Sequence, residues 1–393
     1  MRLFIYNIFI AVFVFCSASA HAQDEPFVIK YGPYLQNVGS KEATIVWVTN
    51  RNSVSWVEIA PDDGSHFYAV ERPQYYHTTF GKKNIGTLHR VVIDSLVPQT
   101  TYRYRIYSKE VTSESPYLVT YGKVAASDAY QKAPYKFSTL DSHKPTTDFV
   151  VVNDIHASSD LFTALMKNEN LDSVDMVFLN GDMVSSMNSE KELFDGFLSQ
   201  CSNLFAKETP MFFVRGNHET RGVFSTHYID YFPSSTGKPY YTFSQGPVFF
   251  VVLDPGEDKP DNDIEYHGLA DFDKYRRDEA AWLKGVVCSD EFTKAEVRIV
   301  LIHIPPMGGT WHGNLELNRL FMPLLNSSDI DLMICAHEHR HRFMQKGDDG
   351  ANFPMIVNSN KNSLRVRVDS KMITLDLKDD TGAKVKNYTI RLK

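Results

Sequence analysis

Five short clusters of potential metal-binding side chains punctuate the chain: Asp154-Ile155-His156, Asn180-Gly181-Asp182, Gly216-Asn217-His218-Glu219, a lone His303, and Ala336-His337-Glu338-His339. Imidazole, carboxylate and carboxamide groups bind borderline-hard cations such as zinc, manganese or iron. Two such cations placed close together need a bridging anion, and a carboxylate such as Asp182 supplies one. Paired metals clamp phosphoryl oxygens and lower the pKa of a bound water, which is the chemistry of phosphoester hydrolysis. A thiolate site is excluded by the absence of any Cys-x-x-Cys pair. Beyond Cys16 only Cys201, Cys288 and Cys335 occur, an odd and widely spaced set that allows at most one bridge and reads as buried apolar residues.

The clusters follow the elements that must hold them. Continuous apolar runs at 149–152, 176–179, 211–214, 297–302 and 331–335 read as buried strands, and each runs directly into one cluster. Helical patterns at 161–167 and 190–205 alternate with the first three strands, a βαβαβ arrangement. A further strand at 248–253, a helix at 271–285 and a strand-rich tail at 355–392 complete the region. Ligands in parallel α/β sheets bind beyond the carboxyl ends of the strands, so five strand ends are expected to converge at one edge of a sheet. Residues 27–139 differ: β-branched and aromatic runs at 43–48, 54–59, 89–93, 101–106 and 135–139, with polar turns between, predict an antiparallel β-sandwich. The polar segment 141–147 reads as the boundary.

The chain starts with Met1-Arg2, an apolar run at 3–15, and small-x-small patterns ending at Ala20 and Ala22. This is the form of a secretory signal peptide, with an apolar run shorter than the roughly 20 residues of a spanning helix. A lipid anchor on Cys16 is disfavoured by Phe15, where a small residue is wanted. The expected organisation is a leader at 1–22, a sandwich domain at 23–143 and a catalytic domain at 144–393, exported to the periplasm or the cell exterior, with no transmembrane segment after cleavage. Hydrophobic residues at 43% and charged residues at 23% fit a globular protein. With 41 Lys and Arg against 48 Asp and Glu, a net charge of -7 and no basic stripe, nucleic acid is not an expected cognate partner. Small phosphate esters suit such a chain better than anionic polymers.

In order and spacing, the five clusters resemble the calcineurin-like metallophosphoesterase superfamily, whose pattern is Asp-x-His, Gly-Asp, Gly-Asn-His-Asp/Glu, a lone His and Gly-His-x-His. The resemblance covers residues 147–393 and implies a four-layer α/β/β/α sandwich. It implies that Asp154, His156 and His339 hold one metal, that Asn217, His303 and His337 hold a second, and that Asp182 bridges both. It implies further that a water or hydroxide between the metals attacks phosphorus, and that His218 faces the leaving group rather than a metal. Ala336 replaces the usual glycine, which matters only if the backbone there has a positive φ. Leu96 to Tyr102 resembles the fibronectin type III Leu-x-Pro-x-Thr-x-Tyr pattern with one extra residue. A sandwich ahead of the catalytic domain resembles purple acid phosphatases, but Ser185 stands where those enzymes carry a tyrosine ligand, and His156 where they tend to have glycine. No purple charge-transfer band is therefore expected, an iron–zinc pair is not implied, and two divalent or trivalent ions of zinc, manganese or iron are the expected cofactors.

Arg221 and His312 are the candidate substrate contacts, with Trp311 beside the latter. Asn180 and Glu219 read equally as structural hydrogen-bonding groups. The acidic run 258–263 is a solvated loop or a pocket rim, the aromatic cluster 232–243 is core, and His77, His89, His227 and His267 have no expected role in the chemistry. Two functional classes are open. One is an exported phosphomonoesterase, with phosphodiesterase or nucleotidase as alternatives. The other is a non-catalytic binding or adhesion protein with a degenerate phosphoesterase domain. Completeness of the ligand set favours the enzyme.

Overall fold

The computed structural model describes residues 25–127 and 131–392. The predicted leader and Cys16 lie outside these. Among the described residues no helix is long and apolar enough to cross a membrane.

Nine strands form the N-terminal part: β1 Ile29–Gln36, β2 Ala43–Pro61, β3 Gln74–Tyr76, β4 Thr78–Thr79, β5 Lys82–Lys83, β6 Gly86–Ile93, β7 Thr101–Ser115, β8 Leu118–Ala126 and β9 Tyr135–Ser138. It is a β-sandwich whose pivot is β2. The first half of β2 pairs with β1 and β6, and its second half with β7 and β3. The sequence pattern suggests two strands at 43–48 and 54–59. The structure joins them into one, and the polar Asn50-Arg51-Asn52 marks the point where β2 changes partners, beside a break in its register with β6. Trp47, Val57, Val91, Tyr104 and Ile106 fill the interior. Tyr102 accepts a 2.9 Å hydrogen bond from the Val97 amide through its hydroxyl, and the extra residue of this stretch is absorbed by Gln99, which turns at φ 57°.

Twelve further strands build two six-stranded sheets. The first holds β10 Thr147–Val152, β11 Met176–Asn180, β12 Met211–Val214, β19 Asn362–Val368, β20 Met372–Asp379 and β21 Lys384–Arg391. The second holds β13 Tyr241–Gln245, β14 Val248–Val252, β15 Val297–Leu301, β16 Leu332–Cys335, β17 Arg342–Met344 and β18 Met355–Val357. Strands β10, β11 and β12 run parallel, as do β14, β15, β16 and β18. Side chains alternate across each strand, and here both faces are buried. Phe149, Val151, Phe178 and Phe212 meet Phe250, Ile299, Leu301 and Ile334 between the sheets. Val150, Val177 and Leu179 face Phe162, Leu165 and Phe197 of the helices outside the first sheet. Val251, Val300 and Met333 face Leu283, Leu317 and Leu325 outside the second. Burial on both faces is why these strands read as unbroken apolar runs. The result is the four-layer α/β/β/α sandwich. The helical pattern at 190–205 is real but irregular: the α-helical Glu190–Leu193 and Ser199–Cys201 alternate with the π-helical Phe194–Leu198 and Ser202–Ala206.

One expectation changes. The five cluster-bearing strand ends do not belong to one sheet: β10, β11 and β12 bring three clusters from the first, and β15 and β16 bring two from the second. A single face of converging ends requires both sheets. A second correction concerns the cysteines. All three described ones are free thiols, and Cys201 and Cys335 are buried as expected, but Cys288, just past the helix Phe272–Val287, is exposed.

The sandwich docks on the first sheet. Tyr34 donates its hydroxyl to the Tyr231 carbonyl at 3.0 Å, Gln36 donates to the Met211 carbonyl at 3.0 Å, and Tyr31 stacks on Phe194 with centroids 4.1 Å apart. Met211 opens β12, at the end opposite Asn217.

Removing the Tyr102 hydroxyl isolates the Val97 amide. Tyr102→Phe is expected to lose about 1 kcal/mol, read as a lower urea midpoint with an unchanged slope. An unchanged midpoint would show the hydroxyl to be dispensable.

Candidate metal centre

The loop after β10 and the loop after β11 are zipped together through their backbones. The amides of Asp154, His156 and Ala157 donate to the carbonyls of Gly181, Asp182 and Met183 at 2.9, 3.0 and 2.8 Å. Zipping forces unusual backbone: Asp154, His156, Ala157 and Asp182 have φ of 52°, 48°, 62° and 52°, and His337 and His339 have 70° and 54°. Left-handed non-glycine residues are uncommon and gather at functional sites. Ala336 has no positive φ, so its replacement of glycine costs nothing there. The close approach of the loops does require glycine elsewhere. A Cβ on Gly181 would overlap the His303 ring, and one on Gly216 would overlap Asp182.

Glu219 is the clamp. It is fully buried, and its carboxylate accepts from the amides of Met183 at 2.7 Å, Asp182 at 2.8 Å, Gly216 at 2.9 Å and Val184 at 3.2 Å. Burial and the charge of Asp182 push its pKa up to about 7. On the other flank Asn153 donates to the Asp154 carboxylate at 2.7 Å and is itself held by Asn358.

Inside this frame the five clusters meet. His303 donates from Nδ1 to the Asn180 carbonyl at 2.6 Å, which aims its Nε2 at Asp182 Oδ2, 3.0 Å away, and at Asp154 Oδ1, 3.8 Å away. His339 Nε2 lies 3.2 Å from Asp154 Oδ1 and 3.1 Å from His156 Nε2. The His337 amide donates to Asp154 Oδ2 at 3.1 Å. Three overlapping groups have their ligand atoms within 4.8 Å of one another: Asp154, His156 and His339; Asp182, His303 and His337; and His156, Asp182 and His218. Asp182 belongs to two of them. In the third, His218 has its Nδ1 committed to the Ser185 carbonyl at 2.8 Å, leaving Nε2 at 3.9 Å from Asp182.

The donors fit cations. Both carboxamide atoms of Asn217 and His337 Nδ1 are buried without a hydrogen-bond partner, and His303 Nε2 and Asp154 Oδ1 meet only other members of the cluster. Buried polar atoms left unpaired are costly and rare, and these point into the same nitrogen- and oxygen-rich cluster that divalent metals favour. Charge tells the same story. Burial opposes a charge on His303, yet the Asp182 and Asp154 carboxylates outweigh it and raise the imidazole to about 10. Against its own burial cost, Asp182 is held well below the usual carboxylate range by His303. Burial, with the His303 charge, drives His337 down to about 4. The carboxylates thus favour positive charge at this place.

The cluster forms one wall of a cleft of about 610 Å³, also lined by Arg221, Asp258, Lys259, Glu265, Trp311 and Arg340. No described residue of the sandwich lines it. Arg221 is gripped by Glu257 through two 2.9 Å bonds, and its Nη1 lies 3.4 Å from His218 Nε2. His312 is not brought to the cleft. It opens the helix His312–Leu320 and its Nε2 lies 2.8 Å from Asp273. His341 pairs with the Tyr388 hydroxyl at 2.9 Å. Asp258 and Lys259 rim the cleft, Glu257 is buried behind Arg221, and Asp254 is buried against Arg215 at 2.7 Å. Sequence reasoning missed both acids although a signal existed: they follow β14, a sixth parallel strand ending at the same face.

Glu219→Ala strips four buried amides of their acceptor. A loss of about 3 kcal/mol or more is expected, with a lower thermal midpoint and reduced bound metal by elemental analysis. Wild-type metal content and midpoint in that variant would contradict the clamp.

Comparison with known proteins agrees with this geometry. Residues 147–341 match the family model of calcineurin-like phosphoesterases, and residues 31–139 match the model of the purple acid phosphatase N-terminal domain. Solved structures with similarity include a cold-active protein-tyrosine phosphatase of a psychrophilic Shewanella species, at 13% identity over 92% of this chain and 99% of that one, with a TM-score of 0.29. A phosphoesterase from E. coli, YfcE, shows 10% identity over 62% of this chain and 100% of its own, with a TM-score of 0.32. Vacuolar protein sorting 29 from Cryptosporidium parvum shows 12% identity over 63% and 98%, with a TM-score of 0.29. These likenesses are remote. No curated protein matches the chain. On the two family matches, the chain is a calcineurin-like, metal-dependent phosphoester hydrolase that carries a purple acid phosphatase N-terminal domain ahead of its catalytic domain.

Proposed function

We propose that this protein is an exported dinuclear phosphomonoesterase acting on small phosphate esters, with a leader at 1–22, the sandwich at 23–143 and the catalytic domain at 144–393. Asp154, His156 and His339 would hold one ion, Asn217, His303 and His337 the other, and Asp182 both. The observation that carries the reading is that Asp182 groups with His156 of the first proposed ion set on one side and with His303 and His337 of the second on the other. Ions bound there supply a water of lowered pKa and a clamp for phosphoryl oxygens. The chain's own groups do the rest. With Nδ1 tied to Ser185, His218 has only Nε2 left to hold or deliver a proton at the departing oxygen. Arg221, fixed by Glu257, presents Nη1 beside it for a phosphoryl oxygen. His312 has no place among these contacts, being paired with Asp273. Export rests on the positive, apolar and small-residue order of the first 22 residues.

Asp182→Asn weakens the shared anion without changing side-chain size. Hydrolysis of p-nitrophenyl phosphate is expected to fall by at least about a hundredfold, with the circular dichroism spectrum unchanged. Wild-type turnover in this variant would overturn the reading. Bis(p-nitrophenyl) phosphate should be the poorer substrate of the wild type; faster cleavage of it would make the protein a diesterase. No turnover of any ester by metal-loaded wild type would favour the non-catalytic binding class.

A further inference from the structure

The chain has four tryptophans. Trp47 is buried, Trp56 and Trp282 are half-buried, and only Trp311 is exposed, at 53%. Its position is not that of a loose surface loop. The segment 305–311 leaves the strand end that carries His303, and three side chains pin its carbonyls. Asn314 donates to Pro305 at 2.7 Å, Asn318 to Pro306 at 3.2 Å, and Arg342 to Met307 at 3.2 Å. Gly308 and Gly309 let the turn lie so close that a Cβ on either would overlap Arg342 or Asn314. A fixed loop therefore ends on a large apolar ring left half in water, on the wall of a cleft whose other lining is glycine, threonine and strongly polar or charged side chains.

An indole carried on a fixed backbone has only two side-chain torsions to lose when another ring stacks on it. A cationic group could also sit on an indole, but it would want an accompanying carboxylate. The cleft carboxylates are already paired: Asp258 with Arg221 at 3.4 Å, Glu265 with Lys259, and Glu338 with Arg340 at 3.2 Å and Arg342 at 2.8 Å. A flat neutral ring fits better than a cation. We propose that Trp311 is a stacking platform that selects phosphate esters whose alcohol carries a flat aromatic ring, nucleoside or aryl, with the phosphoryl end at the ligand cluster. This rests on the phosphoesterase reading above.

The test uses the metal-loaded full chain as wild type, W311A and W311F, with two substrate pairs: 5′-AMP against ribose 5-phosphate, and phosphotyrosine against phosphoserine. Comparing each pair's ratio of kcat/KM between wild type and variant cancels the intrinsic reactivity of the esters. The ring-bearing preference of at least one pair is expected to drop on the order of tenfold in W311A and to be largely kept in W311F. A drop in the first pair names a nucleoside, and one in the second names an aryl group. Unchanged ratios in both pairs overturn the platform. Binding gives a readout free of turnover: saturation-transfer NMR on metal-free protein should show ring-proton signals for adenosine or p-cresol that W311A loses, and equal signals in wild type and variant for both probes overturn the proposal. Hydrolysis of p-nitrophenyl phosphate in the same preparations separates the two ideas. If it persists while the ratios do not move, only the platform falls; if no ester is cleaved, the phosphoesterase reading falls with it.

Discussion

Burying Asp154 and Asp182 together, with Asn217, His303 and His337 around them, is the constraint on which the rest of this structure depends. Two carboxylates taken out of water repel each other and lose hydration, and the arrangement survives only with positive charge between them. The same two carboxylates, outweighing its burial, hold the His303 imidazole well above its usual range. A site built this way is poised for cations rather than closed on itself.

The scaffold is shaped to hold that unfavourable cluster. Left-handed backbone at Asp154, His156, Asp182, His337 and His339 turns each ligand inward at its strand end, and such strain persists only where the surroundings over-determine it. Here they do. Glu219 collects four amides from the loops after β11 and β12, Asn153 and Asn358 brace Asp154 from the side of β10, and the Asn180 carbonyl sets the tautomer of His303. Behind these, two sheets packed on each other and covered by helices supply the apolar burial that offsets the cost. The sandwich, docked at the far end of β12, adds to that burial without reaching the cleft.

Much of this was legible in the sequence, because ligand residues were strung at the ends of apolar runs whose length and lack of alternation mark strands buried on both faces. What escaped was decided by long-range contacts. Which sheet each strand joins is not written in its own residues, so one edge became two. His312 had the right type and neighbourhood for a substrate contact, but Asp273, 39 residues away, captured it. Glu257 stands just before the run 258–263 that reads as solvated, and only the fold shows Thr220, Arg221 and Tyr266 converging on it. The polar break in β2 looked like a turn because a strand that changes partners and a strand that ends share the same polar signal. Cys288 follows an apolar helix end yet faces solvent.

The central claim is that one carboxylate, Asp182, joins two cation sites. Calorimetric titration of the metal-free protein with zinc measures this most directly. Two equivalents bound per chain is the predicted result. Saturation at one equivalent, or no binding at all, would contradict it.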